Sequence, residues 1–218
     1  MADRTRSSSP PEETALRRRP RNARGEGDKL REEILQATLR LVADESRMQI
    51  VPLSLREVAR EAGVTAPAIY LHFADKEELS IAAVRRLFEQ LLDAMDQVEG
   101  DSHELPPDRR LAELAHVYCR FAEHNPLYFR VMFGDHDRHQ NEMALLADRW
   151  RTAVTRLAAT GMRLTQTPEA AAVSVWSAVH GRILLRNSAG QVWNLGDVHD
   201  FVEELTRSIT TADGGPRG

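Results

Sequence analysis

Apolar residues recur along this chain at intervals of three and four, a period that predicts helices almost from end to end. Leu30, Ile34, Ala37, Leu41 and Val42 share one face of a helix predicted over 28–45. A break follows at 48–52, ending in Pro52. Ser54-Leu-Arg-Glu57 then reads as a capping box, in which the serine oxygen accepts from the residue-57 amide and Glu57 reaches back to the Ser54 amide. The helix it opens carries Leu55, Val58, Ala59 and Ala62 and ends at Gly63. Thr65 is placed to cap a short helix over 66–72, with Pro67 tolerated in its first turn. Asp75-Lys-Glu-Glu78 is a second capping pattern, opening a long helix with Leu79, Ala83, Leu87, Leu91 and Met95 inward. Beyond the polar, turn-rich stretch at 100–107, helices are predicted at 109–123, 126–133, 141–160, 168–187 and 198–209, with Thr167-Pro168 and Asp197 starting the last two. Nothing alternates as a strand would. The expected fold is all-α, with about nine helices.

Composition sets limits on this picture. Apolar residues make up 42% of 218, enough for a real core, and no run approaches the ~18 apolar residues of a membrane span. Residues 1–27 are rich in Ser, Pro, Glu and Arg and cannot bury enough surface to order themselves, so a flexible arm is expected there, with a flexible tail at 212–218. The arm has no apolar run behind Arg4 and Arg6 and is not a secretory signal. Cys119 is the only cysteine, which excludes an internal disulfide and a Cys-rich metal site; a cytoplasmic protein without membrane association is expected.

The net charge of −4 conceals an asymmetry. Residues 1–76 carry 14 basic against 12 acidic side chains, and the remainder 15 against 21. Arg17, Arg18, Arg19, Arg21 and Arg24 lie in nine residues without an acid. A basic front on an acidic body suits a polyanion. A solubilising tail has the same composition, and the near-exclusive use of Arg over Lys also follows from compositional bias.

Residues 53–73 have the anatomy of a helix-turn-helix. Ala59 is small where two helices must cross, Gly63 makes the turn, and Val64 and Ile69 lock the second helix against the first. The run Leu53-Ser-Leu-Arg-Glu-Val-Ala-Arg-Glu-Ala-Gly-Val-Thr-Ala-Pro-Ala-Ile-Tyr-Leu-His-Phe-Ala-Asp-Lys-Glu-Glu-Leu79 resembles the DNA-binding domain of TetR/AcrR-family transcriptional regulators. The match extends upstream through Ile34-Leu-Gln-Ala. Val175-Trp176-Ser-Ala-Val-His180-Gly181 resembles the Trp-x-x-x-His-Gly signature of the WHG-type C-terminal domain in one branch of that family.

The resemblance implies a helix-turn-helix domain at 28–74, an effector-binding and dimerisation bundle at 75–211, and homodimers whose third helix enters the major groove. Thr65, Ala66, Pro67 and Ala68 would then approach bases or the adjoining backbone. Tyr70, His72 and Lys76 would reach phosphates, as would Ser54 and Arg56 at the start of the second helix. Ala66 and Ala68 offer no hydrogen bond to a base, which leaves direct readout to Thr65, the Pro67 ring, Tyr70 and methyl contacts with thymine. Arg24 and its neighbours could add minor-groove contacts. Tyr70 and Phe73 also read as core aromatics.

In the body, Tyr118, Phe121, Phe129, Met132, Phe133, Met143, Trp150, Met162 and Trp176 gather on helical faces, with His180 one turn after Trp176. Such stripes are either plain core or the lining of an apolar effector cavity; Tyr118, Phe121, Phe129, Met132, Trp150, Trp176 and His180 are the candidate ligand contacts. Small residues at 170–178, including Ala171, Val175 and Ala178, together with Phe201 and Leu205 on the last helix, are candidates for a dimer seam. Asp135-His136-Asp137-Arg-His139 has metal-ligand residue types but no fourth ligand, and no metal or cofactor is expected. No nucleophile with a base at a useful spacing and no phosphate loop is present, so an enzyme is not expected. The expected function is a ligand-responsive DNA-binding regulator, a repressor released from its operator by a small hydrophobic effector; the alternative is an architectural DNA-binding protein with no effector.

Overall fold

The structure, a computed structural model, describes residues 26–43, 54–134, 138–189 and 195–210. Arg24, the rest of the arm, the break at 48–52, the Asp135–Asp137 part of the metal-like cluster and the tail at 212–218 lie outside the described residues. Helices α1 (Glu26–Val42), α2 (Leu55–Glu61), α3 (Ala66–Tyr70), α4 (Lys76–Asp101), α5 (Pro107–His124), α6 (Pro126–Met132), α7 (Gln140–Ala159), α8 (Pro168–Ala189) and α9 (Val198–Ser208) follow in chain order. The fold is all-α. Among the described residues the sole β pairing is an isolated antiparallel bridge, Leu164 with Thr210, which ties the end of α9 to the link between α7 and α8.

Local chemistry explains the boundaries. Ser54 Oγ accepts from the Glu57 amide and Glu57 Oε2 accepts from the Ser54 amide, both at 3.2 Å, so the predicted capping box is formed. The second cap differs from the expected reciprocal pair. Asp75 Oδ1 accepts from the Glu78 amide at 2.8 Å, but Glu78 Oε2 reaches past Asp75 to the Ala74 amide, at 2.6 Å. Thr65 occupies the N-cap of α3 without a side-chain bond to the helix, contrary to its expected role. Pro67 in the first turn supplies a fixed φ instead. Helix α1 stops at Val42 rather than at 45.

The hydrophobic stripe of α4 is as expected: Leu79, Ala83, Leu87, Leu91 and Met95 are all buried. Helix α1 buries a wider arc than its expected stripe, because α2, α4 and α6 all pack on it. Leu35, Thr38 and Leu39 are buried beside Ile34 and Ala37, and the Thr38 hydroxyl donates back to the Ile34 carbonyl at 2.9 Å. Helix α4 packs on α1 at one side and on α5, α6 and α7 at the other. Arg86 on α4 bridges to Glu32 on α1, and Arg85 on α4 bonds Glu142 on α7 at 2.8 Å. Arg149 on α7 forms a two-pronged bond to Asp96 on α4.

Helix α8 packs closely along α7. Its inner face serves this contact and the one with α5: Ala171, Ala172, Val175, Val179 and Ile183 are buried within the chain itself. Ala171 and Val175, expected at a partner, therefore face the chain's own core. The reason is physical, since a small-residue face lets whichever helix comes first approach closely. The opposite face carries Val173, Leu184 and Leu185, 62%, 47% and 48% exposed. Helix α9 packs on α5, with Val202 and Thr206 buried, Ile209 buried just past its end, and Phe201 and Leu205 half-buried.

The turn between α2 and α3 depends on one residue. Gly63 adopts φ +66°, its amide donates to the Arg60 carbonyl, and the Val64 amide donates to the Ala59 carbonyl, the paired bonds of a Schellman ending. A Cβ there meets nothing within 4 Å, so the cost of a side chain is conformational rather than steric. Gly63→Ala should lower the unfolding free energy by about 1 kcal/mol, and Gly63→Asn by less. Midpoints from denaturant titrations of the two variants check the order.

Candidate DNA interface and effector core

Orientation of α3 follows from its two anchors. Ile69 and Phe73 are buried in the core beside Val58 and Ala59, and the Arg31 guanidinium lies 4.9 Å over the Phe73 ring. The Phe73 amide donates to the Ile69 carbonyl at 3.0 Å, which extends the turn past the last helical residue. A five-residue helix held this way shows the rest of its surface to solvent. Thr65, Pro67 and Tyr70 are exposed, Tyr70 at 56%; Ala66, Ala68, His72 and Lys76 are half-buried around them. Arg56 is exposed on α2, while Ser54, half-buried, is already engaged as a cap. The structure thus brings Thr65, Ala66, Pro67, Ala68, Tyr70, His72 and Lys76 together on and beside α3. Leu71, absent from the residues singled out in the sequence, is 83% exposed on the same helix end. Its signal was an apolar residue between two polar-tipped ones, outside the period set by Ile69 and Phe73.

The residues expected to line an effector cavity form a packed cluster between α5, α6, α7 and α8. Tyr118 stands at its centre, fully buried. Its ring meets Phe129 and Trp150 edge-on, with centroids 5.5 Å apart in each case. The Trp176 indole donates to the Tyr118 oxygen at 3.2 Å, and the same oxygen lies 2.8 Å from His180 Nδ1. Burial pushes the Tyr118 hydroxyl well above its ordinary range, an effect the Trp176 bond only partly offsets. A phenol kept neutral that accepts from the indole has its own proton left for His180 Nδ1.

Phe133 links this cluster to α4. Its ring lies 4.6 Å from His180, 4.7 Å from Phe129 and 5.7 Å from Phe88 on α4, centroid to centroid. Met132 is buried beside it, and Phe121 is half-buried at the rim. Trp150 is wholly buried, and among the described residues its indole nitrogen has no hydrogen-bond partner. Cys119 is buried; desolvation first, and then the Glu123 charge, push its thiol up to about 12, where it is not a nucleophile at neutral pH. At the α4–α7 contact, burial pushes the Glu142 carboxyl up, but the Arg85 bond and charge bring it net below the usual carboxylate range. No group of three His, Cys, Asp or Glu suited to a metal occurs among the described residues.

Comparison with known proteins matches these two regions separately. Residues 34–83 match the profile of bacterial regulatory proteins of the tetR family. Residues 111–209, which include Trp176, His180 and Gly181, match the tetracyclin repressor-like C-terminal domain. An uncharacterised HTH-type transcriptional regulator of Bacillus subtilis, YobS, is 28% identical over 166 residues, 73% of this chain and 79% of that protein. The nucleoid occlusion factor SlmA of Vibrio campbellii is 27% identical over 112 residues, about half of each chain. The B. subtilis transcriptional regulator FadR, solved in complex with stearoyl-CoA, superimposes with a TM-score of 0.65 at 16% identity, over 82% of this chain and 98% of that one, and so shares the fold. With a helix-turn-helix matched at one end and the regulator's C-terminal domain at the other, the chain belongs to the TetR family of DNA-binding transcriptional regulators.

Proposed function

We propose that the chain acts as a homodimeric repressor that leaves its operator when a small apolar effector enters the α5–α8 cluster. The observation that carries this reading is the fixed outward face of α3. Ile69 and Phe73 anchor the helix, so Thr65, Pro67 and Ala68 form one surface for the groove, flanked by Tyr70, Lys76 and Arg56 for phosphates. Domain boundaries near 74 and 211 fit this division, with α4 shared between the two parts. Tyr70→Ala or Lys76→Ala should weaken operator binding by a similar factor on every duplex tested, because phosphate contacts position rather than specify. Footprinting and titration of a duplex enriched from a randomised pool check this; unchanged affinity in both variants removes these residues from the interface.

A second copy suits the outer face of α8. This helix is apolar on both sides: Ala171, Val175 and Val179 serve its own core, while Val173, Leu184 and Leu185 stand in solvent with Ser177 between them. Ala178 on the same helix and Phe201 and Leu205 on α9 are half-buried. Two half-sites ~34–36 Å apart require two recognition helices, and a two-fold seam supplies them. Replacing Leu184 and Leu185 with Glu should yield monomers with an unchanged helical spectrum and lost operator binding. Sedimentation of the wild type as a monomer at micromolar concentration overturns the seam.

The cluster suits effector control because it is closed and directly linked to α4. A drug-sized ligand needs ~300–1,000 Å³, whereas the rings of Tyr118, Phe129, Phe133, Trp150 and His180 pack directly against one another. Entry must therefore move rings, and Phe133 between His180 and Phe88 would carry that motion to the helix that begins directly after the recognition turn. Tyr118→Phe removes the oxygen shared by Trp176 and His180 and should lower unfolding free energy by about 1–3 kcal/mol, read from denaturant curves. Stearoyl-CoA, the ligand of FadR, is a suitable first probe of operator release. The SlmA likeness supports the effector-independent architectural reading, which predicts one unchanged DNA affinity across every apolar probe.

A further inference from the structure

Leu71 is the most exposed of the large apolar side chains described, at 83%, and it stands beside Tyr70, itself 56% exposed. Its place is fixed. Residue 71 is the C-cap of α3 with helical φ −75° and ψ −16°, and the next two amides, of His72 and Phe73, donate to the Ile69 carbonyl at 2.9 and 3.0 Å. Because Ile69 and Phe73 are buried, Leu71 is held outward beside Tyr70 rather than swinging on a loop.

The outward surface of α3 is Thr65, Pro67, Tyr70 and Leu71, with Ala66 and Ala68 half-buried between them. Only Thr65 and Tyr70 carry side-chain hydrogen-bonding atoms. Guanine, adenine and cytosine are told apart in the major groove by donors and acceptors, whereas thymine alone presents a methyl group there. Five helical residues span ~7.5 Å, less than the ~12 Å width of the groove, so both ends of α3 fit within it. We propose that Leu71 reads the 5-methyl group of thymine, with Pro67 and Ala68 completing the apolar surface, so that half-site specificity rests on apolar contact rather than on hydrogen bonds to bases. The proposal rests on the DNA-binding reading of α3 and names the chemistry of that contact.

The test uses the full chain, a duplex it enriches from a randomised pool, and the same duplex with deoxyuridine in place of each thymidine, which deletes only the methyl groups. Wild-type protein should bind the deoxyuridine duplex about fourfold more weakly for each methyl group contacted. Leu71→Ala should lose a comparable factor on the thymidine duplex and discriminate little between the two, while its melting temperature and helical spectrum stay unchanged. Equal wild-type affinity for both duplexes overturns the proposal, as does full discrimination retained by Leu71→Ala; either outcome with a clear footprint leaves DNA binding by α3 standing. Failure of the wild type to enrich any duplex overturns the DNA-binding reading and this contact with it.

Discussion

Helix α4 runs for 26 residues, about 39 Å, and buries an apolar stripe from Leu79 to Met95 that both halves of the molecule share. Its start caps directly onto the recognition turn, through Asp75 and Glu78, and its middle packs on α1; α5, α6 and α7 cover the remainder. Neither half completes its core without it. Each fully buried leucine on this stripe is worth about 1.5–3 kcal/mol relative to exposure. The helix-turn-helix therefore sits on a rigid strut that also feels the aromatic cluster, rather than hanging from a linker.

Periodicity carried most of this fold. The α4 stripe, the Ser54–Glu57 box and the Gly63 turn are local, and each states its own geometry within four to seven residues. What the sequence could not state was which neighbour a helix would choose. Ala171 and Val175 lie on a small-residue face that suits any close helix, and α7 takes it, so the surface left open for a partner is Val173, Leu184 and Leu185. Thr65 stands at the right position for a cap but leaves the bond unmade, since Pro67 already fixes the first turn. The aromatic residues of the body were legible as a group; their contacts with Phe88 depend on tertiary packing and had no signal in spacing.

On α3 the same logic gives a surface of unusual composition. One buried anchor within its five residues, Ile69, and a second just past its end, Phe73, leave little room for polar reach, and the positions turned outward hold Thr, Pro, Tyr and Leu. A groove-binding helix without long polar side chains discriminates by shape and by methyl contact, which yields modest preference at each base pair. On the proposed reading, backbone-positioning contacts from Arg56, Tyr70 and Lys76 would then carry a large share of affinity, and with it a strong dependence on salt.

The aromatic cluster bears on how such a protein could switch. Tyr118 holds α5 to α8 through one oxygen shared by Trp176 and His180, and among the described residues the buried Trp150 nitrogen beside it has no hydrogen-bond partner. A buried donor left unmet costs about 1–3 kcal/mol, a penalty that ligand acceptors or water can relieve when the cluster opens. Closed packing favours one arrangement through its ring contacts, while the unmet donor favours opening. Two packings within a few kcal/mol of each other would lie in the range in which a ligand of ordinary affinity can reverse the balance. Phe133 is the point where that balance meets α4, because its ring touches both His180 in the cluster and Phe88 on the strut. A core packed around a less polar centre would be more stable and harder to switch.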